Sequence, residues 1–151
     1  MRVLIIKLSS MGDLMHALPA LTDAVNNVPG ISFDWVVDEN FAEVPKWHPA
    51  VEKLIVSAHR RWKKNLRAAW TNGEFKGFYK RLNHRDYDLV IDLQSNLKSA
   101  LVSLLRRSPV SGYDHQSCRE KPAHLSYKHQ YSIPVNQHAI ARQRQLFARI
   151  F

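Results

Sequence analysis

Short apolar, β-branched runs alternate along this chain with longer stretches in which apolar side chains recur at helical spacing. The first run, Val3–Lys7, breaks into Leu8-Ser9-Ser10-Met11-Gly12-Asp13-Leu14-Met15-His16 and then resumes with helical periodicity. A buried parallel strand delivers a loop and a helix in this way. The helix is predicted from about Gly12 to Val28, with Leu14, Leu18, Leu21 and Val25 on one face. Pro19 lies inside it without the N–H that an interior turn needs, so a kink or a split into two pieces is expected there. Pro29-Gly30 ends it.

Ile31–Val37 reads as the second strand, Glu39–Trp47 as a short helix stopped near Pro49, and Lys53–Ser57 as the third strand. A flexible connection over Ala68–Glu74, marked by Asn72-Gly73, precedes a basic amphipathic helix at Phe75–Arg85. Its stripe of Phe75, Phe78, Tyr79 and Leu82 is assigned to the core. Tyr87–Leu93 is the fourth strand, Gln94-Ser95-Asn96 a loop, Leu97–Arg107 a helix and Val110–Asp114 a short fifth strand. His115–Pro134 reads as irregular and Asn136–Phe151 as a last helix. The alternation predicts an α/β fold, a Rossmann-like doubly wound parallel sheet of about five strands in the order 3-2-1-4-5, covered on both faces.

That order makes the first strand central and brings Ser9, Ser10, Gly12 and Asp13 to its carboxyl end. Ligands of open α/β sheets bind at this edge, where loop N–H groups favour anionic or oxygen-rich groups. Gly12 permits close backbone approach, and Asp13 is the loop's one carboxylate. Spacing alone favours a plainer role, with Ser10 or Asp13 capping the first helix. His59-Arg60-Arg61-Trp62-Lys63-Lys64 falls at the carboxyl end of the third strand, on the same edge. A charge run is ordinarily a solvated face. Here four cations in five residues repel one another unless an anion is present, and they stand at a helix start, which disfavours cations.

A length of 151 residues and 45% apolar content suffice for one domain with a substantial core. The net charge of +9 calls for an acidic partner: nucleic acid, an anionic membrane surface or a phosphorylated substrate. Cys118, the one cysteine, has no internal partner and reads as a buried or idle thiol, which fits the cytoplasm. No apolar run approaches a membrane span. There is no Walker-type phosphate loop and no three-glycine dinucleotide fingerprint, which argues against a nicotinamide enzyme or a nucleotide-triphosphate hydrolase. The histidines show no metal-binding spacing, so no metal site is predicted. Lys7 and Lys98 are open to either a structural or a binding role, and His138 reads as a helix-capping or packing residue.

Lys7 through Leu21, K-L-S-S-M-G-D-L-M-H-A-L-P-A-L, resembles the N-terminal signature of the lipopolysaccharide heptosyltransferases, glycosyltransferase family 9, nearer to type I than to type II. The likeness continues through Phe33–Glu39, His59–Trp62, Tyr87–Asp92 and Gln137-His138-Ala139. Ser95 and Asn96 depart from it, standing where the family usually has Gly and an apolar residue. The resemblance implies one half of a GT-B fold: residues 1–151 as a single Rossmann-like acceptor-binding domain, with the donor-binding domain absent from these residues. It implies transfer of heptose from ADP-heptose to the inner-core Kdo sugar of a lipid A precursor, with inversion, no cofactor and no metal.

In that chemistry Asp13 is the general base, ionised at neutral pH and ready to take the acceptor hydroxyl's proton. Arg60, Arg61, Lys63, Lys64 and Arg119 form the acceptor-binding set, because guanidinium and ammonium groups engage carboxylates and phosphates. Ser9, Ser10, Met11 and Gly12 line the cleft near the donor. The expected location is cytoplasmic, peripheral on the cytoplasmic face of the inner membrane, drawn there by the cations. The chain alone is expected to bind acceptor weakly and not to turn over. Two other classes compete: a nucleic-acid-binding module built on cations interleaved with Trp62, Trp70 and Tyr79, and a non-catalytic domain that holds a partner at the membrane.

Overall fold

Val3, Leu4, Ile5 and Ile6 are completely shielded from solvent because strand β1 (Arg2–Ile6) runs through the middle of the sheet with both of its faces covered. The computed structural model describes all 151 residues. β1 pairs in parallel with β2 (Ser32–Asp38) on one side and β4 (Leu89–Asp92) on the other, with Ile5 opposite both Trp35 and Ile91. β3 (Val51–Ser57), β5 (Ser111–Tyr113) and β6 (His129–Tyr131) complete six parallel strands in the order β3-β2-β1-β4-β5-β6. The predicted order holds for the first five. β6 lies within the stretch read as irregular: His129-Gln130-Tyr131 sits at the sheet edge, where a strand can do without an apolar run.

Pro19 does split the first helix, into α1 (Met11–Met15) and α2 (Leu18–Asn27), and falls in the first turn of α2, where its missing N–H costs nothing. The helix predicted over Glu39–Trp47 is instead two 3-10 turns, Glu39–Phe41 and Pro45–Trp47. Asp38 caps the first through the Asn40 N–H at 2.8 Å, and Pro45 starts the second.

Ala68–Glu74 is not a flexible connection but mostly helix. After α3 (His59–Lys64), the Asn65 side chain accepts the Ala68 N–H at 3.0 Å and starts α4 (Leu66–Thr71). Gly73, at φ +78°, then reverses the chain into α5 (Glu74–Leu82).

α6 (Leu97–Leu105) follows β4, and α7 (Ala139–Ile150) packs back onto this domain's own sheet. Phe147 of α7 is buried against Phe33 with ring centroids 6.2 Å apart, and Arg144 grips Asp23 of α2 through two nitrogens at 2.5 and 3.1 Å. His138 caps α7, its Nδ1 accepting the Ile140 N–H at 3.2 Å. At the amino ends of the strands, buried Asp34 accepts the Tyr87 hydroxyl at 2.7 Å and the Arg85 guanidinium at 3.3 Å. Asp34, within Phe33–Glu39, is therefore structural.

At the other end, Gly112 of β5 lies flat under the ring of Tyr127, where a Cβ would stand 2.6 Å from ring carbons. Tyr127 cannot retreat freely, because its hydroxyl donates to the fully buried Asp92 at 2.7 Å. Gly112→Ala is expected to destabilise the chain by about 1–3 kcal/mol in urea unfolding. Gly12→Ala, whose Cβ would meet nothing within 4 Å, serves as the near-neutral comparison.

Candidate functional site

Asp92 ends β4 and organises the carboxyl edge. Its Oδ1 accepts the N–H groups of Gln94 at 2.8 Å and Ser95 at 3.0 Å, while Oδ2 holds Tyr127. Burial pushes its carboxyl above the ordinary range, against the pull of these hydrogen bonds. Gln94, so oriented, accepts the N–H groups of Leu8 at 2.5 Å and Ser9 at 3.1 Å through Oε1, which ties the loop after β1 to the loop after β4. Ser95 takes φ +54°, the left-handed conformation that glycine enters without strain. This accounts for the glycine usual in the resembling family. Ser95 is held there by its Oγ accepting the Arg119 N–H at 3.1 Å and its carbonyl accepting the Glu120 N–H at 3.1 Å.

Across this scaffold stands Asp13, at the third position of α1. Its carboxylate accepts the Ser10 N–H at 3.4 Å and faces Arg119 Nη1 at 3.7 Å, both long contacts. The side chain is 38% exposed. Two pockets share it as a wall. One, of about 380 Å³, is also lined by Lys7, Gln94, Ser95, Arg119 and Arg142. The other, of about 440 Å³, is lined by Ser9, Ser10, Arg60, Lys63, Lys98 and Arg119 among others. Asp13 is thus both a helix-start acceptor and an accessible carboxylate ringed by cations.

The structure therefore gathers Asp13, Ser9, Ser10, Arg60, Lys63 and Arg119 into one place. It does not gather Arg61. The Arg61 guanidinium bonds Glu39 at 3.2 Å and both oxygens of Glu74 at 2.7 and 2.8 Å, and Glu74 also accepts the Trp62 indole N–H at 2.6 Å. These bonds, Arg61 first, hold the Glu74 carboxyl below its usual range. The anions that the basic run requires are partly the protein's own: Arg61 pins α3 to α5 and lines neither of the Asp13 pockets.

Lys64 ends α3 exposed and lines neither pocket. Met11 and Gly12 also line neither, because they form the outward first turn of α1. Arg60 is placed partly by Phe41, over whose ring its guanidinium sits at 5.2 Å.

Three residues that sequence reasoning did not assign belong to the site. Gln94 and Asp92 carried a signal, since they follow directly on an apolar strand. Arg142 carried none: it comes from α7, its guanidinium lies 4.8 Å from the centre of the Tyr113 ring, and it donates to the Ser117 carbonyl at 2.5 Å. Lys7, left open by the sequence, is buried in the pocket wall and donates to the Leu93 carbonyl at 3.2 Å. Burial lowers its pKa from 10.5 to about 8, with Asp13 and Asp92 resisting the shift and Arg119 and Arg142 adding to it. Cys118 is buried in the same wall, its thiol pushed up to about 11 by burial, and is unreactive there. Nowhere do three or more His, Cys, Asp or Glu side chains converge as metal ligands would, and no helix is long and apolar enough to cross a membrane.

Fold and site define an α/β domain of Rossmann-like type, with the accessible carboxylate of Asp13 in a mainly cationic cleft at the carboxyl edge of its sheet. Residues 76–151 match the family model described as glycosyltransferase family 9 (heptosyltransferase). The chain is 54% identical over 150 residues to lipopolysaccharide heptosyltransferase 1 of Pseudomonas aeruginosa, covering 99% of the chain and 42% of that protein. It is 51% identical over 150 residues to lipopolysaccharide heptosyltransferase 1 of Escherichia coli strain K12, covering 99% of the chain and 47% of that protein.

The solved structure of E. coli heptosyltransferase WaaC with ADP-2-deoxy-2-fluoro heptose superposes with a TM-score of 0.94 at 49% identity, over 99% of this chain and 48% of that one. The chain belongs to glycosyltransferase family 9. It spans a little under half the length of the curated relatives it matches.

The Lys7 charge sets a pH dependence. Its amine is protonated below about pH 8 and neutral above, so an anion in the pocket is expected to bind more weakly as pH rises through that value. Calorimetric titration with sulfate, whose own charge is constant over the range, reads this. Lys7→Met should lower the affinity and abolish the alkaline limb. The depressed pKa also means that the folded chain loses stability relative to Lys7→Met as pH falls from 10.5 towards 8, where only the unfolded lysine holds its proton fully.

Proposed function

We propose that this chain is the acceptor-binding half of a heptosyltransferase of lipopolysaccharide core assembly, with Asp13 as general base. The observation that carries the reading is the placement of Asp13 among Arg60, Lys63, Lys98 and Arg119, while the pocket's other carboxylate, Glu120, accepts the Leu97 N–H at 2.6 Å. A phosphorylated, carboxylate-bearing sugar acceptor would satisfy those cations and leave a hydroxyl within reach of Asp13. The donor would be ADP-heptose, presented mainly by a second domain outside these residues. The acceptor would be Kdo-bearing lipid A precursor on the cytoplasmic face of the inner membrane, towards which the cationic rim draws the protein electrostatically.

As the acceptor oxygen attacks the anomeric carbon from the face opposite the leaving ADP, the bond from that carbon to the phosphate oxygen breaks and the configuration inverts. The hydroxyl acquires positive charge as it bonds, so even a weakly basic carboxylate takes its proton, a contribution of about 10²–10⁴ in rate. Because the Ser10 N–H and Arg119 contacts of Asp13 are long, its lone pairs stay available.

The nucleic-acid alternative loses its stacking platform. Trp62 is buried, Tyr79 is covered by Arg107 at 5.7 Å from its ring centre, and of the three aromatics only Trp70 is fully open.

Grafted onto the remaining half of a close relative, residues 1–151 should transfer heptose, and Asp13→Asn in that protein should lower kcat by about 10²–10⁴ with acceptor KM little changed. Near-normal turnover by the variant removes Asp13 from the mechanism. The 151-residue chain alone should bind deacylated acceptor without turnover. Arg60→Ala should weaken that binding about tenfold or more at low salt, while Arg61→Ala leaves it within about twofold.

A further inference from the structure

Next to the cationic pocket lies a second feature that the sugar chemistry does not use. α3, α4 and α5 face α6 across an open groove of about 520 Å³ lined mainly by apolar side chains. Its walls include Leu66, Trp70 and Leu101, which are 72%, 75% and 64% exposed. Contiguous apolar surface of this kind on a domain of net charge +9 marks a contact site. The groove is continuous with the Asp13 pocket: Lys63, Leu97 and Lys98 line both. No carboxylate lines it, and its only full charges are the two lysines at the junction. A second copy of so basic a chain would bring like charge to that rim. An anionic head with an apolar tail matches both parts at once.

We propose that the groove takes one acyl chain of an anionic amphiphile whose phosphorylated head occupies the Arg60–Lys63–Lys98 pocket. The inference rests on the acceptor reading above and deepens it: the domain grips the lipid as well as the sugar. Lys63 and Lys98 fix the boundary, each stem lying along the apolar wall while its ammonium group meets the head. Trp70 and Leu101 cover the tail from opposite sides.

The test titrates the 151-residue chain with octyl, decyl and dodecyl phosphate below their micelle concentrations, beside deacylated acceptor, reading heat and tryptophan emission. Affinity should rise about two- to fourfold per added methylene, the upper figure being that of a fully buried CH₂, with a blue shift carried by Trp70. Leu101→Glu and Trp70→Ala, both at exposed positions, should flatten the chain-length dependence, keep the melting temperature and leave deacylated acceptor binding unchanged.

A flat series in the wild-type chain with deacylated acceptor still bound overturns the groove and spares the acceptor reading. A preserved slope without deacylated acceptor binding supports the groove and overturns that reading. Length dependence that appears only above the micelle concentration makes this face a bilayer contact. A concentration-dependent dimer abolished by Leu101→Glu gives the groove to a second copy. Either of these last two results overturns the proposal.

Discussion

The fully buried carboxylate of Asp92 is the constraint on which the carboxyl edge depends. A charge removed from water is tolerated only when its lone pairs are filled. Here the fillers are the Gln94 and Ser95 N–H groups and the Tyr127 hydroxyl. Each partner then fixes something else. Gln94 holds the loop after β1, Ser95 is pinned in a left-handed conformation that anchors Arg119, and Tyr127 presses on Gly112 and so sets the approach of β5 and the chain before β6. The Asp13 loop is thereby placed by a network that reaches the Asp13 side chain only through Arg119.

The basic excess divides by what each cation meets. Arg61 and Arg144 are matched by the protein's own carboxylates, Glu39 with Glu74 and Asp23, and tie elements together. Arg106 donates to the carbonyls of Leu82 and Arg85, replacing backbone partners that a turn leaves open. Arg60, Lys63 and Lys98 have no carboxylate partner and converge on the Asp13 pocket, with Arg119 held only loosely by Asp13. Net charge signals an acidic partner, but its location follows only from subtracting the cations already matched.

Much of the fold was legible because burial on both faces leaves a simple trace. Val3–Ile6, Trp35–Val37 and Val90–Ile91 are unbroken apolar runs, the trace left by central parallel strands covered on both faces. Pro19 announced its break because a missing N–H has a fixed consequence. The misreadings lie where the trace is weak. β6 is a polar edge strand. α4 begins at a cap, Asn65, inside a run that charge made look like one helix and its loop. The Glu39–Trp47 stretch is divided by Pro45, which starts a second 3-10 turn ahead of Pro49. At the site, Asp13 and the loop serines were visible from their place after the first strand. Arg61 and Lys64 adjoin Arg60 and Lys63 in sequence but not in the pocket, because successive helical positions point about 100° apart.

The sequence by itself determined the order of the first five strands, the central place of β1, the break at Pro19 and the position of Asp13 at the sheet's carboxyl edge, because each follows from periodicity or from the chemistry of one residue. Tertiary structure alone decided which cations share a pocket with Asp13, that Lys7 is buried beside it, that Arg142 arrives from the last helix, and that α7 covers its own sheet. Those are contacts between residues far apart in the chain, set by packing and by the pairing of buried charge, and neither leaves a local pattern to read.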